Sequence, residues 1–183
     1  MIVTISGMPG SGKSTIGRML ARKLGYRFFS AGDYRGRMAL SRGITIDELN
    51  AIGRKERWTD EQVDMETKRL GETTGNLVVD GWIAFHFIPR SLKVFLDVDP
   101  GTGARRICKD QRPDERKVCS EKEALAMLGK RVRETVARYK RHYGVDITDR
   151  RNYDLVIDTT SIGPEEAAGR IAKAVLGRGG RKL

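Results

Sequence analysis

The sequence has few of the features that mark secreted or membrane proteins. Its 183 residues include only two cysteines, Cys108 and Cys119, which lie among charged residues without the spacing of metal ligands. This argues against a disulfide framework and favours two inert thiols. No apolar run is long enough to cross a bilayer, and the first one ends at Gly7 without a positive segment before it. We therefore predict a cytoplasmic protein with no secretory signal and no membrane partner.

Internal repeats and dividing linkers are absent as well. A chain of 183 residues, 39% apolar and 32% charged, is typical of one soluble globular domain with a core large enough to be stable alone. We predict a single domain, a monomer, that ends in a flexible basic tail over residues 177–183.

Acidic residues are too few to balance the basic ones. The chain has 35 Lys and Arg against 24 Asp and Glu, a net charge of +11, and the excess is concentrated after residue 100. Such a balance is typical of proteins that bind nucleic acid. It also suits a protein that must hold several phosphate groups at once, and composition alone does not decide between the two.

One stretch near the N-terminus carries a specific motif. Residues 7–14 read G-x-x-x-x-G-K-S, the phosphate-binding P-loop, between the β-branched run 2–5 and a segment with apolar residues at helical spacing. A glycine-rich turn with a chance lysine is the alternative, but strand, motif and helix agree. The residues predicted to bind ATP are Gly7, Met8, Pro9, Gly10, Ser11, Gly12, Lys13, Ser14 and Thr15.

The motif predicts a division of labour among these residues. Glycines let successive backbone N–H groups converge on one anion, and the following helix directs its positive end at the same place. Lys13 supplies a full charge at the β- and γ-phosphates, and the Ser14 hydroxyl is a ligand for Mg²⁺. The motif does not indicate whether the phosphoryl group is transferred to water, to a small molecule or not at all.

Further along, short apolar runs alternate with helical patterns. We predict strands around residues 2–5, 27–30, 77–82, 92–98 and 155–157, and a long helix over 121–143. Between the second and third strands, residues 34–42 and 44–71 are helical in pattern, with N-caps at Thr45 and Thr59. This order predicts an α/β, three-layer P-loop NTPase fold, a five-stranded parallel sheet with helices on both faces.

The segments 30–33 and 79–81 resemble nucleoside monophosphate kinases. Residues 138–147, RYKRHYGVDI, followed by YDLVIDT at 153–159, are similar to the archaeal-type cytidylate kinases. The order of all segments agrees, and the resemblance covers nearly the whole chain. Two positions depart from that family, since Gly36 and Trp82 stand where it usually has arginines that touch the acceptor nucleotide.

The resemblance implies transfer of the γ-phosphoryl group of ATP to CMP, with dCMP as a further acceptor, and with Mg²⁺ as cofactor. It implies an acceptor-binding helical region over 31–76 and a lid over 105–120. Read from the residues themselves, Lys13 of the P-loop and Arg131 and Arg138, which are seven apart and so share a helix face, are the predicted catalytic residues, and Ser14 and Asp80 are the predicted metal ligands. The acceptor site would contain Asp33, Arg35, Arg37, Asp80, Gly81, Trp82 and Asp146, and the lid would contain Arg105, Arg106, Arg112 and Arg116.

Each of these residues also has a plainer interpretation. Asp33 could cap a helix starting at Tyr34, Asp80 could be a buried hydrogen-bonded carboxylate, and Arg35 or Arg37 could lie on a solvated face. Asp146 is an ordinary turn residue by type. Trp82, Phe85 and Phe87 could stack on a base, although core packing is the favoured interpretation for them.

Two other functions compete with the cytidylate kinase hypothesis. One is a P-loop kinase for another small acceptor, which the residues at Gly36 and Trp82 keep open. The other is a nucleotide-dependent RNA-binding or ribosome-associated protein, which the charge of +11 would suit.

Overall fold

The computed structural model describes residues 1–110 and 120–179. The described chain contains a parallel sheet in the order β2-β3-β1-β4-β5. Its strands are β1 (Ile2–Gly7), β2 (Arg27–Ser30), β3 (Leu77–Asp80), β4 (Leu92–Asp97) and β5 (Leu155–Asp158). The helices are α1 (Lys13–Leu24), α2 (Ala31–Leu40), α3 (Ile46–Gly53), α4 (Trp58–Thr73), α5 (Ala84–Phe87), α6 (Pro100–Lys109), α7 (Glu121–Tyr143) and α8 (Pro164–Gly179).

The two faces of the sheet pack against different helices. Val3 and Ile5 lie in a core with α1 and α8, where Ile16, Leu20 and Ile171 are buried. On the next strand, Leu77 and Val79 face the other way and pack against α4 and α5. A sheet covered on both faces confirms the predicted three-layer fold, and all of its strand pairs are parallel.

The segment between β2 and β3 forms a small helical unit. Helices α2, α3 and α4 enclose an apolar cluster of their own, Met38, Ala39, Ile46, Leu49 and Val63. Thr45 and Glu48 form the predicted capping box at the start of α3. The prediction for Thr59 is wrong, because α4 already begins at Trp58, after Arg57, and Thr59 is buried inside it.

Several predicted boundaries shift by a few residues. Helix α2 begins at Ala31 rather than at Tyr34, because the Ser30 hydroxyl caps it by accepting from the backbone N–H of Asp33. The interpretation of Asp33 as the cap is therefore wrong. At the other end of the chain, α8 continues to Gly179, so the first residues of the predicted tail are helical, and residues 180–183 lie outside the described part.

Within the described ranges, none of the helices combines the length and the apolar composition that a membrane crossing needs.

Candidate active site

The P-loop connects β1 to α1 and requires glycine at particular positions. Gly7, Gly10 and Gly12 have φ angles of 149°, 76° and 84°, which side chains with a Cβ rarely adopt. A Cβ on Gly7 would also run into the backbone of Leu96, and one on Gly10 into the backbone of Gly103. The loop is thus clamped between β4 and α6, in a conformation available to this sequence only through its glycines.

The start of α1 is prepared for an anion. Gly12 is its N-cap and has no side chain to cap the helix, and the first turn contains no acidic residue. The first N–H groups of a helix have no partner within it, and together with the helix dipole they favour a negative ligand.

Lys13 lies against the loop that it follows. Its Nζ donates hydrogen bonds of 2.9 Å to the carbonyl oxygens of Gly7 and of Met8. The same Nζ lies 5.2 Å from the centroid of the Trp82 ring. The ammonium group is therefore held between the phosphate loop and the segment that follows β3.

Ser14 and Asp80 meet at the carboxyl end of β3. The Ser14 hydroxyl donates to Asp80 Oδ2 at 2.5 Å, and the Ser30 hydroxyl donates to the same oxygen at 3.3 Å. Burial raises the pKa of Asp80, and the nearby charge of Lys13 opposes that rise. A buried carboxylate beside a serine hydroxyl offers two of the oxygen ligands that Mg²⁺ uses, with substrate phosphates and water supplying the others.

A cluster of three or more His, Cys, Asp or Glu able to hold a metal does not occur in the described ranges. The oxygens of Ser14 and Asp80 therefore fit a cation whose other ligands come mainly from the phosphates of a bound nucleotide.

Asp33 sits on the first turn of α2, close to this centre. Its carboxylate pairs with Arg18 of α1 at 2.6 Å, and its negative charge contributes to the raised pKa of Asp80. Gly81 follows directly after Asp80, and its Cα approaches Ala31 so closely that a Cβ there would lie 3.1 Å from the Ala31 Cβ. The residues that directly follow β2 and β3 therefore pack closely against each other.

Arg35 and Arg138 converge on one buried carboxylate that the sequence did not reveal. Arg35 Nη1 lies 2.9 Å from Asp60 Oδ1, and Arg138 Nε lies 3.2 Å from Asp60 Oδ2. The three side chains come from α2, α4 and α7 and are 3–11% exposed. This brings together Arg35, which the sequence predicts at the acceptor site, and Arg138, which it predicts to be catalytic, whereas Arg37 is exposed and lies over the Tyr34 ring.

One helical turn along α4, Asp64 is also buried and accepts a hydrogen bond of 2.5 Å from the Tyr143 hydroxyl. Burial raises the pKa of Asp64 to about 7 and also raises the pKa of Tyr143. The sequence analysis missed both acids. A usable signal was their spacing, since Asp60, Val63, Asp64 and Thr67 lie at i, i+3, i+4 and i+7, on the face of α4 that is buried.

The remaining predicted acceptor residues have varied environments. Asp146 Oδ1 accepts from the backbone N–H and the hydroxyl of Thr148, so Asp146 has a turn-forming role. Phe85 is buried in a cluster with Ile83, Tyr139 and Ile147, which confirms core packing for it, and Trp82 and Phe87 are half-buried at the margin of that cluster. Arg131 is half-buried on α7.

Two of the four predicted lid arginines can be placed. Arg105 is exposed on α6 and donates to the Thr102 hydroxyl. Arg106 instead donates to the carbonyl oxygens of Gly10 and Thr159, joining the P-loop to the end of β5. Arg112 and Arg116, and most of the segment 105–120, lie outside the described residues.

The fold and this loop define a class, the P-loop kinases, and solved structures share the architecture. A shikimate kinase from Acinetobacter baumannii in complex with shikimate aligns with a TM-score of 0.63 and 20% identity, over 97% of this chain and 93% of that one. An uncharacterized protein from Eubacterium ventriosum aligns with a TM-score of 0.72 and 18% identity, over 96% and 98% of the two chains.

Sequence relatives narrow the class to one family. Residues 2–161 match the model of the cytidylate kinase-like family. A cytidylate kinase of Methanocella arvoryzae is 31% identical over 96% of this chain and 97% of its own length, and one of Archaeoglobus fulgidus is 34% identical over 96% and 94%. An S-adenosylmethionine-dependent nucleotide dehydratase of Lacinutrix mariniflava is 35% identical, but the chain spans only 34% of the length of that protein.

The chain therefore belongs to the cytidylate kinase-like family. It is a phosphotransferase that uses a phosphate group as acceptor.

Proposed function

We propose that this protein transfers the γ-phosphoryl group of ATP to CMP, giving CDP and ADP, and that it also accepts dCMP. The observation that supports the proposal most directly is the set of residues that Trp82 contacts. This residue borders Lys13 of the P-loop on one side and the cluster of Tyr139 on the other, and Tyr139 is adjacent to Arg138. The residues that we propose for the donor and for the acceptor would therefore lie on the two sides of Trp82, as transfer between two phosphate compounds requires.

Phosphoryl transfer depends mainly on how the two substrates are positioned and on positive charge around the transferred group. Phosphoryl transfer passes through a loose transition state whose equatorial oxygens must be stabilised, with the attacking and leaving oxygens in line. The P-loop N–H groups and Lys13 would bind the β- and γ-phosphates, and Arg138 and Arg131 would meet the acceptor and the transferring group. Since the phosphate of a nucleoside monophosphate is largely ionised near pH 7, its oxygen attacks directly and no general base is needed.

A magnesium ion bound with ATP would supply positive charge that stabilises the phosphate oxygens. Ser14 and Asp80 are the residues that we propose to hold it. Burial raises the pKa of Asp80, and a cation near the carboxylate would favour its ionised form.

A coupled assay of ADP formation with CMP, dCMP, UMP, AMP and GMP tests this function. We expect the fastest turnover with CMP and no requirement for RNA. ADP production at background level with every monophosphate would refute the proposal. Slow ATP hydrolysis that RNA stimulates, together with RNA affinity that falls steeply with salt, would instead favour the nucleic-acid hypothesis raised by the charge of +11.

A further inference from the structure

The two arginines that converge on Asp60 differ in what remains available to a ligand. Arg35 is engaged through all three nitrogens, since Nε donates to Asn50 Oδ1 at 3.1 Å and Nη1 donates to the Thr59 carbonyl at 2.7 Å and to Asp60. Its Nη2 is 3.3 Å from the Thr59 hydroxyl and 3.4 Å from the Leu49 carbonyl. A guanidinium has five N–H donors, and here protein acceptors already occupy those of Arg35.

Arg138 is held differently. Its Nε lies 3.2 Å from Asp60 Oδ2, but the two atoms are misaligned for a hydrogen bond, so the contact is an electrostatic one. In the described part of the chain, no carbonyl or carboxylate oxygen accepts a hydrogen bond from its Nη1 or Nη2, and its ring neighbour is Tyr139, 5.2 Å away. The Tyr139 side chain also hydrogen-bonds the guanidinium, so Arg138 is held by Asp60 and Tyr139, and its other terminal N–H groups meet no carbonyl or carboxylate acceptor among the described residues.

The absence of a side chain at Gly53 leaves room for the guanidinium groups of Arg35 and Arg138. A Cβ on that residue would lie 2.9 Å from Arg35 Nη2, 2.6 Å from the Thr59 hydroxyl and 3.5 Å from Arg138 Nη1. Both guanidinium groups therefore meet at the end of α3, where only a glycine leaves them room.

The charges also fit an anionic ligand. One carboxylate, Asp60, faces two guanidinium groups, so these three residues have a net charge of +1, and the neighbouring buried Asp64, whose pKa burial raises to about 7, leaves that surplus in place while it is protonated. The burial of that surplus charge favours a further anion, and a phosphate group satisfies the terminal donors of an arginine bidentately.

We propose that Arg35 and Asp60 are positioning residues, and that Arg35 fixes Asp60 so that Asp60 holds Arg138 with its Nη groups available to the acceptor phosphate. This rests on the proposed function, since the acceptor is taken to be a nucleoside monophosphate. It assigns Arg35, which the sequence analysis placed in contact with the acceptor, an indirect role, and gives Asp60 a function in the site.

Asp60→Asn tests the proposal, because the amide keeps the shape of the side chain and an oxygen for Arg35 but removes the charge that holds Arg138. We expect the KM for the acceptor monophosphate to rise by roughly 10- to 100-fold, as misplacing a substrate-positioning group does, with the KM for ATP within about twofold of wild type. Glu61→Gln is the matched control. It makes the same chemical change on the adjacent residue of α4, where an exposed carboxylate pairs weakly with Arg57 at 3.6 Å, and it should behave as wild type.

A double-mutant cycle separates a positioning role of Arg35 from direct contact. If Arg35 acts through Asp60, Arg35→Met combined with Asp60→Asn should raise the acceptor KM no more than about threefold beyond Asp60→Asn alone. Multiplication of the two single effects would show that Arg35 binds the acceptor itself. The double variant removes one charge of each sign, so it can be assayed even if one single variant fails to fold.

The outcomes for the two proposals are distinguishable. Turnover of the wild-type protein across the monophosphates decides the proposed function, and the variants are then assayed with the acceptor that it uses best. Calorimetric titration of CMP, without ATP, gives a separate measure of acceptor binding. An acceptor KM and a CMP affinity within twofold of wild type in a folded Asp60→Asn protein would overturn the positioning role, and equal increases in both KM values would do so too.

Discussion

At the scale of single residues, the proposed phosphoryl transfer depends on a few side chains, and their environments differ from those of neighbouring residues. Lys13, Ser14 and Asp80 are brought within contact distance by the turn from β1 to α1 and by the end of β3. Asp64 is a different case, because nothing in the proposed transfer uses it, yet burial raises its pKa to about 7. Residues of both kinds lead to predictions that one substitution can check.

Replacing Lys13 by alanine should abolish phosphoryl transfer and leave the protein folded. Its Nζ hydrogen-bonds the backbone carbonyls of Gly7 and Met8 and lies over the Trp82 ring, whereas its charge is needed at the phosphates. We expect a loss of at least about 10²-fold in kcat, with a circular dichroism spectrum and melting temperature close to those of wild type. Near wild-type turnover would contradict the role assigned to Lys13.

Asp64→Asn should change how stability depends on pH. The folded-state pKa of about 7 is above the 3.8 that is ordinary for an aspartate, so the folded protein binds the Asp64 proton more tightly than the unfolded chain does. The contribution of this carboxyl therefore falls as pH rises between those two values. It is unfavourable above pH 7, where Asp64 is ionised beside Asp60.

The free energy of unfolding of Asp64→Asn, relative to wild type, should thus increase with pH by up to roughly 1.4 kcal/mol per unit between about pH 4 and pH 7. Above that range the difference should be constant. Urea unfolding at intervals of pH measures it, and the comparison cancels groups common to both proteins, including Asp80. Stability curves that run parallel over the whole range would show that Asp64 keeps an ordinary pKa.

At the scale of elements, the helical unit formed by α2, α3 and α4 brings charged side chains to α7. Arg35 comes from α2 and Asp60 from α4, and both reach Arg138 on α7 because α3 ends in a glycine. On the surface, Arg54 and Glu134 pair at 3.3 Å between the end of α3 and α7, but an exposed pair of this kind adds little stability. The buried contacts therefore define the spatial relation between these helices.

Gly53→Ala should be destabilising even though alanine is the better helix former. A Cβ at this position would meet the Thr59 hydroxyl at 2.6 Å and Arg35 Nη2 at 2.9 Å, so both must move. The control is Gly169→Ala in α8, where no atom lies within 4 Å of the added Cβ and where alanine should stabilise the protein by about 0.5–1 kcal/mol. Chemical denaturation should therefore give changes of opposite sign for the two variants, and a gain in stability for Gly53→Ala would contradict the crowding.

At the scale of the whole molecule, the charge of +11 acts on every anion that approaches. Both substrates of the proposed reaction are highly charged anions, so the net field should accelerate their encounter with the protein. The field is screened over a Debye length of about 10 Å at 0.1 M salt and about 3 Å at 1 M.

We therefore expect kcat/KM for the acceptor to fall several-fold between about 0.05 M and about 0.5 M salt, while kcat at saturation changes little. Steady-state kinetics in NaCl, repeated at equal ionic strength with potassium acetate, separate screening from specific anion binding. A kcat/KM that does not respond to ionic strength would show that local contacts, rather than the total charge, govern the encounter.

The sequence by itself determined the class of fold and the position of the P-loop. The P-loop is contiguous, its glycines and Lys13 are recognisable from type and spacing, and the alternation of strands with helices predicts a parallel sheet. Helix ends were recoverable where capping is local, as at Thr45. They were wrong where a different residue capped the helix, as Ser30 does ahead of Asp33.

Only the tertiary structure decided which charged residues belong together at the proposed acceptor site. Arg35, Asp60 and Arg138 are separated by 25 and 78 residues along the chain, and their pairing depends on how three helices pack. In sequence each looks like an ordinary charge on a helix. Burial distinguishes them, because a charge removed from water must find a partner, and that requirement arises only once the chain has folded.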